Sequence, residues 1–151
     1  MNGKKCFQGV VEETLRADPV TSFSCIDKGV WEANVSQVSC FPAVMTVRAI
    51  NGMVTISLES GLYVPAERVA EANALSMFKN RLYVVAGWLA LPSEGGSLTF
   101  EATFDGHQAS SWTQNAIIGA QVSLKKSAGD YMRVLSGESA YSVYSDECED
   151  R

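Results

Sequence analysis

A single histidine, His107, is all the imidazole this chain possesses. That removes most metal sites and most acid–base pairs from consideration, since both draw heavily on that side chain. Basic residues are also few: 12 Lys and Arg stand against 17 Asp and Glu, giving a formal charge of −5 and a pI near 4.8. Nucleic acid and anionic lipid surfaces are bound through clustered cations, so neither is expected as a partner. No apolar run reaches the ~20 residues of a membrane-spanning helix; the longest, Leu82 to Leu91, is about half that. The opening stretch, MNGKKCFQGVV, carries two lysines but no apolar core of a secretory signal. Asn2 stands where N-myristoylation needs glycine. The four cysteines, at 6, 25, 40 and 148, form no CxxC pair, which leaves zinc and thioredoxin-type chemistry without local support. They read as free thiols of a cytoplasmic protein, Cys25 and Cys40 buried and Cys148 exposed. The phosphate-cradling patterns GxxxxGK[ST] and GxGxxG are missing, as is the G-x-S-x-G nucleophile elbow. No cofactor and no metal are expected.

What remains is a chain of 151 residues, 46% hydrophobic and 19% charged, long enough to bury a core without disulfide or metal support. Phe7 to Arg16 reads as a helix with Val10, Val11, Thr14 and Leu15 on one side, ended by Asp18-Pro19. Phe23 to Ser39 holds strand-like residues interrupted by the turn signal Asp27-Lys28-Gly29. Pro42–Ile50 and Met53–Ser60 flank Asn51-Gly52, the dipeptide of a type I′ hairpin turn, and Val54, Ile56 and Leu58 alternate with Thr55, Ser57 and Glu59. Pro65 to Asn80 is an alanine-rich helix with Pro65 at its first position and Val69, Ala72, Leu75 and Phe78 as its stripe. Leu82–Leu91 and Leu98–Phe104 form a second hairpin around Pro92-Ser93-Glu94-Gly95-Gly96. Gln108 to Leu135 is a long helix, with Ile117, Gln121, Leu124, Ala128, Tyr131 and Leu135 spaced alternately by four and three. The order α-β-β-β-α-β-β-α predicts one α+β domain over 1–137, helices packed on an antiparallel sheet, followed by an acidic, disordered tail over 138–151.

Several phrases resemble the bacterial YbjN family. The helix ending in Asn80 leads into Ala86-Gly87-Trp88-Leu89-Ala90-Leu91 and then Gly95-Gly96-Ser97-Leu98-Thr99-Phe100, which is similar to that family's succession of helix, asparagine, Gly-x-aromatic strand, glycine turn and Phe-containing strand. Asp130 to Gly137, DYMRVLSG, resembles the end of the family's last helix. The resemblance implies a type III secretion chaperone-like fold over about Phe7 to Gly137 and a role as a sensory transduction regulator. It supplies no catalytic residue, and Phe23–Ser39 matches nothing in it.

The residues themselves offer little chemistry. His107 follows Asp105-Gly106 in a loop, where a lone histidine is ordinarily a bystander. Glu67 and Glu71, four apart with Arg68 between, read as a solvated helix face rather than an acid–base pair. The anomaly is Leu82–Leu91, which is apolar on both sides: Val84, Ala86, Trp88 and Ala90 on one, Tyr83, Val85 and Leu89 on the other. Strands of that kind are usually central and covered twice. The first helix, a second copy of the chain, or a segment of another protein are the three coverings available for Tyr83, Val85 and Leu89. The expected function is therefore non-enzymatic: a chaperone-like or regulatory module that binds a segment of a partner protein through an apolar sheet or helix face, with homodimer formation open. A small-molecule sensor with a pocket lined by Trp88 and Phe100, or a hydrolase using His107, are the alternatives.

Overall fold

The computed structural model describes residues 9, 11–13, 15–16, 22–35, 43–81, 86–105 and 110–149, the side chains of 110–114 and 147–149 excepted. The helical residues 9, 11–13, 15 and 16 (α1) place Val11 and Leu15 in the core. Six strands follow: β1 Ser22–Asp27, β2 Val30–Asn34, β3 Val44–Ile50, β4 Met53–Pro65, β5 Ala86–Trp88 and β6 Gly95–Asp105. They pair antiparallel in the order β1-β2-β3-β4-β6-β5. Between β4 and β5 run a 3₁₀ turn, Ala66–Arg68, and helix α2, Val69–Asn80; after β6 come α3, Ser110–Leu135, and α4, Ala140–Glu149. The architecture is α+β, an antiparallel sheet with helices packed on it.

The Asn51-Gly52 hairpin forms as its residues dictate, both in the left-handed region at φ 54° and 79°. Val54, Ile56 and Leu58 of β4 lie opposite Ala49, Val47 and Met45 of β3 and opposite Phe104, Ala102 and Phe100 of β6. This row, continued by Trp31 and Ala33 of β2, is buried except for Ala49, which is half-buried near the turn. The alternate positions, Thr46, Arg48, Thr55, Ser57, Glu59, Glu101 and Thr103, are half-buried or exposed. Thr55 and Thr103 meet at 3.3 Å across the strands, and Ser57 donates to Glu101 at 3.0 Å. One side of the sheet is core and the other is hydroxyl-rich. Phe23–Ser39, read from sequence as strand-like residues around the Asp27-Lys28-Gly29 turn signal and counted as one strand, contributes the β1–β2 hairpin about that turn, so four strands rather than three precede α2.

Two expectations change. Leu82–Leu91 is not a central strand: of its described residues, 86–91, Ala86–Trp88 form β5 at one edge of the described sheet, while 82–85 lie outside the described residues. The acidic end is not a free tail either, since 140–149 is helix α4. Composition concealed three local signals. Ser139 caps the helix by accepting from Ser142 N–H at 3.2 Å. Ala140 and Val143 are buried, and Tyr144 stacks on Phe78 of α2 with ring centroids 4.9 Å apart. The turn into α4 closes α3 in a Schellman motif, with Glu138 N–H bonded to Arg133 C=O and Gly137 N–H, at φ 117°, to Val134 C=O.

Along α2, Asn73 and Asn80 each form a two-bond pair with the backbone beside them. Asn80 Oδ1 accepts from Trp88 N–H at 2.7 Å while its Nδ2 donates to Trp88 C=O at 3.0 Å. Asn73 does the same for Leu91, at 2.8 and 3.1 Å. Gly87 permits this approach: a Cβ there would sit 3.0 Å from Asn80 Cγ. Asn80→Ala is expected to cost about 1–3 kcal/mol by stranding both groups of Trp88, and Gly87→Ala, which pushes the Asn80 amide away, a similar amount. Urea denaturation of the two variants and of the pair checks this; full additivity in the double variant would disprove the shared cause.

Candidate functional site

The segment singled out by its two apolar sides is held from three directions. Its inner side carries Trp88, buried between Phe100 (ring centroids 5.3 Å, near edge-on) and Tyr131 of α3 (5.0 Å, tilted). Tyr131 in turn shares a 2.6 Å hydrogen bond with Ser76 of α2. Trp88 Nε1 is buried with no acceptor among the described residues. Trp88 and Phe100, the residues nominated for a ligand pocket, are both buried and pack edge-on against each other.

The outer side is represented by Leu89, whose backbone N–H still pairs with Thr99 C=O at 2.9 Å and whose side chain is 43% exposed. Position alternation places it opposite Trp88. Tyr83 and Val85 lie outside the described residues, so of the three nominated side chains the structure locates only Leu89, and locates it at the surface. Ile50 and Met53, opposite each other at the β3–β4 turn and on the same hydroxyl-rich side, are also exposed.

The other candidates resolve differently. His107, Cys6 and Cys40 fall outside the described residues. Cys25, expected in the core, is exposed on β1, the strand at the edge of the described sheet. Cys148 is in α4, its side chain among those not described. Trp31, which sequence alone leaves unplaced, is buried in β2 with Nε1 donating to Glu12 at 3.2 Å. Glu67 and Glu71 are neither an acid–base pair nor a solvated helix face. Glu67 lies in the 3₁₀ turn, exposed, whereas Glu71 Oε2 accepts from Ala140 N–H at 2.7 Å and so anchors the start of α4. Arg68 closes the other end of that junction, donating Nε to Val134 C=O at 2.8 Å and Nη2 to Glu138 C=O at 2.9 Å. Lys79, buried, pairs with Asp130 at 2.7 Å. Among the described residues there is no cluster of His, Cys, Asp and Glu suited to a metal ion, and no described helix is long and apolar enough to cross a membrane.

With this geometry in hand, comparison with known proteins adds nothing: no family model, no curated protein and no solved structure matches the chain.

One charged group does couple to the helix layer. Arg133 donates to both oxygens of Glu138, at 2.7 and 2.8 Å, and to Asp146 of α4 at 2.7 Å. Hydrogen bonds from Arg133 hold the Glu138 carboxyl below its ordinary value, and those to Glu138 and Asp146 raise the guanidinium. A depressed carboxyl contributes stability above its ordinary value, and that contribution is lost as pH falls through the depressed one. Acidification through and below the usual glutamate range, about 4.3, is therefore expected to speed hydrogen exchange in α4 before α3. In Arg133→Gln the same titration should leave the difference between the two helices constant.

Proposed function

We propose that this protein is a non-catalytic interaction module that receives a segment of a partner protein on the outer side of the Leu82–Leu91 strand, through Tyr83, Val85 and Leu89. The observation that carries this reading is Leu89: a large apolar side chain, 43% exposed, on a strand whose sequence is apolar on that side at two further positions. Burying such a side chain against a partner is worth roughly 1.5–3 kcal/mol. The adjoining hydroxyl-rich side of the sheet offers hydrogen-bonding groups around an apolar spot, the mixture found at non-obligate protein interfaces. The mutual packing of Trp88, Phe100 and Tyr131 argues for protein over small-molecule recognition at this strand.

The resemblance to the YbjN family, with its type III secretion chaperone-like fold, supports the same reading: helix, asparagine, Gly-x-aromatic strand and glycine turn are the elements built around Asn80, Gly87 and Trp88. A chaperone-like or regulatory role in the cytoplasm follows from that resemblance and from the apolar outer side together.

A photo-crosslinking amino acid at position 89, irradiated in the producing cells, should give one or a few discrete protein adducts. Addition of Val85→Glu should abolish them without changing the urea midpoint, and His107→Ala should leave both unchanged. Adducts that persist in Val85→Glu, or their complete absence, count against this site. A cellular phenotype lost in His107→Ala with adducts intact favours the hydrolase.

A further inference from the structure

The two edges of the sheet are finished in different ways. At the β5 edge, the backbone groups of Trp88 and Leu91 are taken up by Asn80 and Asn73. At the other edge, among the described residues, β1 pairs only with β2 and no strand lies beyond it. Apart from Phe23, which packs half-buried against the core, its side chains are exposed as well. Phe23 and Cys25 are in register with Ala33 and Trp31, on the core side, yet Phe23 is only half-buried and Cys25 exposed, while Ile26 is 55% exposed. A bare edge flanked by uncovered apolar side chains is a template for another strand. The irregularity between Cys25 and Asp27, with the charged Asp27-Lys28 turn, blocks pairing at the hairpin tip and leaves Ser22–Cys25 as the usable length.

We infer that β1 pairs antiparallel with β1 of a second copy, about a twofold axis at Ser24, joining the two six-stranded sheets into one. A twofold contact requires a segment that complements itself, and Ser-Phe-Ser-Cys does. Centred on Ser24, Phe23 of each copy lies opposite Cys25 of the other on the core side, prolonging the apolar row that begins with Trp31 and Ala33, while the two Ser24 hydroxyls meet on the other side. Charge favours this patch over the rest of the surface. The chain carries a net −5, so copies repel each other in general, but Ser22–Ile26 is uncharged and the two Asp27 residues end up at opposite ends. The contact is short, which makes a weak, concentration-dependent dimer. It is also separate from the outer side of Leu82–Leu91.

Light scattering over a wide concentration range tests this. The wild type should rise from monomer towards dimer mass, Cys25→Ala should follow it, and Cys25→Glu should stay monomeric with an unchanged urea midpoint. In a chain with Cys6, Cys40 and Cys148 replaced by serine, the two Cys25 residues sit diagonally, about 7–8 Å apart, and a bismaleimide of that reach should link them. A wild type that is monomeric throughout overturns the inference. So does a dimer that survives Cys25→Glu; if Leu89→Glu dissolves that dimer instead, the self-contact belongs to the β5 side.

Discussion

An outer strand has backbone N–H and C=O groups that no neighbouring strand can take, and β5 meets this condition in the part of the protein where all the helices after β4 converge. Two asparagine amides stand in for the missing strand. An amide carries the same donor and acceptor as a peptide group, so each side chain can copy one step of a strand ladder. Seven residues, close to two helical turns, separate Asn73 from Asn80 and put both on one line of α2. That line fixes the rotation of the helix about its axis. Once it faces β5, Ser76 and Lys79 must turn towards α3, where they meet Tyr131 and Asp130, and Glu71 and Phe78 towards α4.

The helix layer is consequently knitted by polar contacts as much as by apolar burial. Arg68 and Glu71 lie three apart on the first turns and hold opposite sides of one junction, Arg68 the carbonyls leaving α3 and Glu71 the first amide of α4. These are the backbone groups that every helix end leaves without an internal partner. Trp88 sits beneath this arrangement, its ring shared between sheet and helix, and its unaccepted Nε1 is the one place among the described side chains where packing wins over hydrogen bonding.

Much of this was legible in the residues themselves. Alternation in Val54–Leu58, the Asn51-Gly52 dipeptide and the four-three spacing from Ile117 to Leu135 each encode a single geometry, and each is found. The failures share a physical cause, which is that local sequence does not record where an element sits. Leu82–Leu91 has the composition of a doubly covered strand, but what lies along the free edge of its described part is helix α2, whose asparagine side chains leave no apolar signature. The acidic end reads as solvated by composition because Ala140, Val143 and Tyr144 are too few to outweigh its charges, yet those three are what α2 needs. Cys25 alternates correctly with its neighbours and is exposed all the same, since β1 is an edge strand of which only Phe23 reaches the core. For the candidate site, the sequence singled out the strand and its outer side chains; the exposure of Leu89 depends on the sheet order, which no local pattern carries.

The sheet order also divides the chain by the distance its contacts must travel. Strands β1 to β4 form a meander in which each pairs with the next, β3 and β4 across a two-residue turn. The seam between β4 and β6 joins residues such as Thr55 and Thr103, 48 positions apart, with α2 and β5 looped out between them. Loop-closure entropy has to be met before such contacts are rewarded. The meander is built from pairings between successive strands, and Leu89 likewise sits among contacts close in sequence, Asn80 with Trp88 and Leu89 with Thr99, so the β4–β6 seam is where two locally built halves carry the cost of long loop closure.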